Sequence, residues 1–166
     1  DMNELVELQK ELLVHLGYDK SNFYENDYKA IATEFETTEL EHEHEEKLYT
    51  DKSSVAFIKN FPEFTSPFWN MKRNPDDDTS YKVDVILSGM ETFGSAEREI
   101  NKETMRDKFE TIMEGSYKNK LFELFGEERT RAELDEYLEL DFIKRSGCGI
   151  GLTRLIKSME KENLLD

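Results

Sequence analysis

One cysteine, one tryptophan and three prolines are spread over 166 residues, with only eight glycines. A single thiol excludes an internal disulfide framework. No apolar run approaches the roughly 20 residues that cross a bilayer, and no signal-peptide pattern opens the chain. A soluble protein of the cytoplasm, with no membrane partner, is therefore expected. Positive charge is scarce too: 22 Lys plus Arg stand against 38 Asp plus Glu, leaving −16. Such a surface repels phosphate backbones and argues against extensive nucleic-acid contact, while leaving room for a local basic pocket around a small anion.

What is present suits a globular domain. The chain is 37% hydrophobic and 11% aromatic, at a length that can bury a sizeable core. It starts Asp1-Met2 with a helical pattern already under way, so it is expected to enter mid-domain. Leu5, Leu8, Leu12, Leu13 and Leu16 follow helical spacing over Asn3 to Leu16, with Gly17 placed as a cap. Further helices are expected over 27–35 and 38–48. Strands follow over 54–58, ending at Pro62, and over 66–72, and 74–78 forms a polar connection. Ser88-Gly89 separates the runs 81–87 and 91–98, which predicts an antiparallel hairpin. Helices over 102–113 and 130–142, then one from about Leu152, complete an α+β domain on an antiparallel sheet.

With a two-residue turn, Leu87 pairs with Met90, Ile86 with Glu91 and Asp84 with Phe93. Asp84, Ile86, Glu91 and Phe93 then share a face. Asp84 and Glu91 become diagonal neighbours roughly 7–8 Å apart at the backbone. Two carboxylates at that spacing can share a divalent ion, completed by phosphate and water oxygens as Mg²⁺ prefers. The alternative is a solvent-facing pair of acids. Arg98 reads as a surface ion-pair partner or, functionally, as a planar fork gripping a substrate carboxylate.

The stretch Gly147-Cys148-Gly149-Ile150-Gly151 weakens any strand it forms, so something must need close approach there. A dinucleotide fingerprint fails because residue 152 is Leu, and a phosphate loop fails because no Gly-Lys-Ser/Thr follows. His42 and His44 are not helical neighbours and read as part of a solvated charge run. Cys148 has no nearby histidine to activate it. Trp69, Phe64 and Phe68 read as core.

Asp84 to Glu99, with its acid, glycine turn, second acid and closing Arg98, resembles the hairpin of class II aminoacyl-tRNA synthetases of the aspartate/asparagine subgroup. Gly147, Gly149, Gly151 and Arg154 resemble that class's third motif, G-x-G-x-G-x-x-R. Phe61-Pro62 with Pro67-Phe68 resembles the strand pair that precedes the hairpin in that subgroup, and the likeness runs from about Thr38 to Lys157. The resemblance implies an ATP-dependent ligase in which an aspartate or asparagine carboxylate attacks the α-phosphorus and releases pyrophosphate. It implies that Asp84 and Glu91 hold Mg²⁺ and that the three glycines admit the adenine. Arg154 would bind ATP as a catalytic residue. Arg98 would read the amino-acid side chain, with Ser95 and Gly94 shaping its pocket.

Residues 1–166 are read as one catalytic-domain segment lacking motifs 1 and 2, with tRNA contacts in absent regions and a homodimer in the full-length form. Thr153 stands where the family carries an acid, and Lys144-Arg145-Ser146 replaces a Pro-His-small stretch. A tRNA-independent asparagine synthetase and a non-catalytic paralogue binding nucleotide or amino acid are the alternatives.

Overall fold

A computed structural model describes residues 1–165. The first helix, α1 (Met2–His15), is started by Asp1, whose carboxylate accepts from Glu4 N while the Glu4 side chain reaches back to the Asp1 backbone nitrogen. Strand β1 (Tyr24–Asp27) leads through α2 (Tyr28–Glu34) and α3 (His42–Asp51) into β2 (Val55–Pro62). Strands β3 (Thr79–Leu87) and β4 (Met90–Glu97) form the expected hairpin. Three helices follow, α4 (Lys102–Thr111), α5 (Ser116–Phe125) and α6 (Glu127–Glu139). Strand β5 (Ser146–Ile150) then runs into α7 (Leu152–Lys161).

Among the described residues the five strands form one sheet in sequence order. It is mixed rather than antiparallel throughout: β1 runs parallel to β2, and the other pairs are antiparallel. The helical crossover of α2 and α3 returns the chain to the same end of the sheet, which is what parallel pairing requires. The expected strand over 66–72 is also absent. Ser66 takes a left-handed φ of 52°, and only Met71 bridges to Arg98. Arg73 holds this segment by donating to the carbonyls of Pro67, Phe68 and Met71. Helix α5, unexpected from the sequence, is bounded by Gly115 and Gly126 with φ of 81° and 86°.

Alternation along the strands divides the core. Val55, Phe57, Val83, Val85, Leu87 and Phe93 point toward α1 and α7. Ala56, Ile58 and Ile86 point the other way, under Tyr28, Ile31 and Leu48 of α2 and α3. A third cluster around Trp69, Met105, Phe109, Leu134 and Leu138 lies with α4 and α6. Trp69 is core, as expected; Phe64 and Phe68 are 58% and 37% exposed and are not.

Candidate functional site

The hairpin register begins as expected, Leu87 with Met90 and Ile86 with Glu91, and then shifts. A bulge at Thr92 pairs Val85 with Phe93 and Asp84 with Gly94. Phe93 thereby turns into the α1–α7 core instead of sharing the face of Asp84, which corrects that part of the sequence reading. A bulge leaves one extra residue on one strand and reverses facing beyond it. Glu91 precedes the bulge, so it stays with Asp84. A Cβ added at Gly94 would sit 3.4 Å from Glu91 Oε1 and 3.9 Å from Asp84 Oδ1, so the two carboxylates converge over this glycine.

Beyond them the same face carries small residues, of which Ala96 is fully buried. Gly94 pairs with Gly149, and Ala96 with Gly147. A Cβ at Gly147 or Gly149 would meet nothing within 4 Å, so no part of the described chain needs their missing side chains. Gly151 is different: its N–H donates to Thr92 O at 2.8 Å, and α7 begins directly after it.

Asp84 is 5% exposed, and its Oδ1 has no hydrogen-bond partner. Burial pushes its carboxyl up to about 6, opposed by Lys82 and reinforced by the charges of Glu91 and Glu45. Lys82 is ion-paired to Oδ2 and lies over the Phe61 ring. Glu45 of α3 accepts from Glu91 N at 3.2 Å. An orphaned, buried carboxylate oxygen facing a second carboxylate fits a divalent cation. Among the described residues no three His, Cys, Asp or Glu side chains group to hold an ion, so oxygens of phosphate or water would have to complete its shell.

The arginines divide sharply. Arg73, Arg106, Arg129 and Arg131 are each ion-paired to a carboxylate. The remaining three of seven, Arg98, Arg145 and Arg154, form no such pair among the described residues, and all three border the glycine surface. Arg154 is exposed and donates to Glu91 O at 2.6 Å. Arg98 is half-buried and donates to Asn70 Oδ1 at 3.1 Å. Arginines without a carboxylate of their own have guanidinium donors that an anion from outside can engage.

Ser95 lies on the opposite face, accepting from Gln9 of α1 in the buried layer. It is brought to β4 but not to the bare surface that holds Gly94. His44 Nδ1 accepts from Glu41 N, closing the start of α3, and His42 is exposed beside Glu45 and Glu46. Cys148 is exposed. Sequence reasoning missed Glu45, Lys82 and Arg145. Lys82 was within reach, two residues before Asp84 and so on its face; Glu45 required the packing of α3 against the hairpin.

The chain matches the family described as tRNA synthetases class II (D, K and N) over residues 2–165. No curated protein matches it in sequence. An aspartyl tRNA synthetase from Entamoeba histolytica superposes with a TM-score of 0.69 at 17% identity, over 96% of this chain and 37% of that one. Asparaginyl-tRNA synthetase from Pyrococcus horikoshii complexed with asparaginyl-adenylate gives 0.63 at 18% identity, over 96% and 38%. Entamoeba histolytica asparaginyl-tRNA synthetase in complex with asparaginyl-adenylate gives 0.63 at 16%, over 85% and 32%. The chain thus spans well under half the length of these structures, and at such identities the likeness is one of fold. Among the described residues no helix is long and apolar enough to cross a membrane. With a match running almost end to end, this chain belongs to the class II tRNA synthetases of the D, K and N group.

Proposed function

We propose that this chain forms the adenylate-making surface of an ATP-dependent ligase that activates aspartate or asparagine. One observation supports this above the others. The arginines without acids of their own gather where two carboxylates meet a strand stripped of side chains. A flat purine needs the bare floor of Gly147, Gly149 and Gly151, and a guanidinium at Arg154 can stack on it or meet a phosphate. Arg98 offers a fork to the amino-acid side chain, and Gly94 leaves room beneath it. Ser95 acts at one remove, tying β4 to α1 through Gln9.

Asp84 and Glu91 would hold Mg²⁺, which when bound supplies charge neutralisation for the phosphates. Displacement at the α-phosphorus asks the protein for position and charge more than for covalent help. Lys82, ion-paired to Asp84, offsets part of the charge there. The acceptor, tRNA or ammonia, is proposed from the family alone. So are a single catalytic-domain segment lacking motifs 1 and 2, a homodimer of a full-length form, and a cytoplasmic setting.

A second reading, a nucleotide- or amino-acid-binding paralogue without turnover, draws on Thr153 at the start of α7 in place of an acid. Amino-acid-dependent ATP–pyrophosphate exchange separates the two, run on this chain and on any longer native form. Exchange with aspartate or asparagine supports the ligase. MgATP binding without exchange by a folded, longer form leaves the paralogue.

A further inference from the structure

The two half-buried arginines at the far end of the bare floor are cross-strand neighbours. Glu97 pairs with Ser146, and one step further Arg98 N donates to Arg145 O at 2.9 Å. Like charges directly opposite each other on a sheet are destabilising. Here no carboxylate among the described residues intervenes. Arg145 is held from behind: it lies over the Phe142 ring, 4.9 Å from the centroid, and donates to Tyr137 Oη and Ile143 O. Arg98 loses proton affinity first through burial and then through the charge of Arg145. The fold thus keeps two guanidiniums side by side at some cost, on a chain of net charge −16 that has acids to spare.

Resting on the ligase reading above, we infer that Arg145 is a specificity-determining residue, completing with Arg98 a two-guanidinium seat for an anionic side chain. The amino acid selected is then aspartate rather than asparagine. A carboxylate presents acceptors on both oxygens, enough for both forks. An amide presents one acceptor and an NH₂, whose hydrogens would face guanidinium hydrogens, leaving donors opposed and unpaired. One arginine tolerates either ligand by taking the amide oxygen; two do not.

The test is isothermal titration of the folded chain with L-aspartate and with L-asparagine, in wild type, Arg145→Gln and Arg145→Lys. Expected is a clear preference of wild type for aspartate. Arg145→Gln should weaken aspartate by about tenfold or more while leaving asparagine within about twofold, so that the preference collapses. Arg145→Lys keeps charge without the fork and should fall between; it also carries the test if Arg145→Gln does not fold. A purely structural role would weaken both ligands together. Equal losses, no loss, a preference for asparagine, or no aspartate binding by the folded wild type overturns the inference. A parallel MgATP titration of wild type keeps the two proposals apart. Nucleotide binding without aspartate preference sinks only this one, and aspartate preference without nucleotide binding sinks only the earlier one.

Discussion

One face of the sheet carries two halves that could hardly differ more. Over β2 and β3 it is roofed by α2 and α3, and Ala56, Ile58 and Ile86 are buried under Tyr28, Ile31 and Leu48. Over β5 and the adjoining part of β4 it is open at Gly94, Gly147 and Gly149, where side chains are missing. Asp84 and Glu91 stand on the seam. Apolar burial stabilises the first half; the second leaves area uncovered and keeps charged groups without partners. The contrast teaches where stability and binding reside: the roofed half holds the shape that the bare half needs in order to present its charges.

Substitutions should break this comparison in a graded way. Ile86→Ala opens a cavity in the roofed half, where the side chain is 2% exposed, and should cost about 4 kcal/mol by urea denaturation. Asp84→Asn sits on the seam and should act through pH. The folded carboxyl, at about 6, binds its proton more tightly than the unfolded one, near 3.8. Stability of the wild type therefore falls as pH rises between those values. Asp84→Asn should gain up to about 3 kcal/mol over wild type at pH 7.5, and the gain should vanish below pH 4. The same variant should lose Mg²⁺-dependent nucleotide binding.

A smaller effect is expected where α7 meets the hairpin. Ser158 is fully buried and lies 2.7 Å from both Tyr18 Oη and Ser88 Oγ, and Glu162 accepts from Ser88 at 2.8 Å. Ser158→Ala leaves these hydroxyls short of a partner and should cost about 1–2 kcal/mol, read from the thermal midpoint. Gly149→Ala should change stability least, within about 0.5 kcal/mol, because the added methyl meets open space. It should still weaken nucleotide binding measurably, since that space is the floor. Equal stability losses from Ile86→Ala and Gly149→Ala would erase the division drawn between the halves.

Much of this was legible before any coordinates. Leucine spacing identified α1, Ser88-Gly89 identified the hairpin turn, and the glycine run with Arg154 marked β5 and the start of α7. Asp84 and Glu91 were placed on one face by alternation, and they share it. Other features carried no local signal. The four residues of β1 are too few to show a period, and their parallel partner lies some 30 residues away. The bulge that turns Phe93 inward depends on how α1 and the sheet pack. Helix α5 announced itself only through its bounding glycines, whose left-handed φ is invisible until the chain is built.

By itself the sequence determined the elements whose causes are local: periodicity, turn chemistry, and the bare strand that nothing but glycine could make. Tertiary structure decided which residues meet. It set Lys82 and Glu45 around the carboxylates, sent Ser95 to the far face, and put Arg145 beside Arg98 across nearly fifty positions of chain. Facing and partnership depend on register and on what packs above, and these are properties of the assembled sheet rather than of any stretch within it.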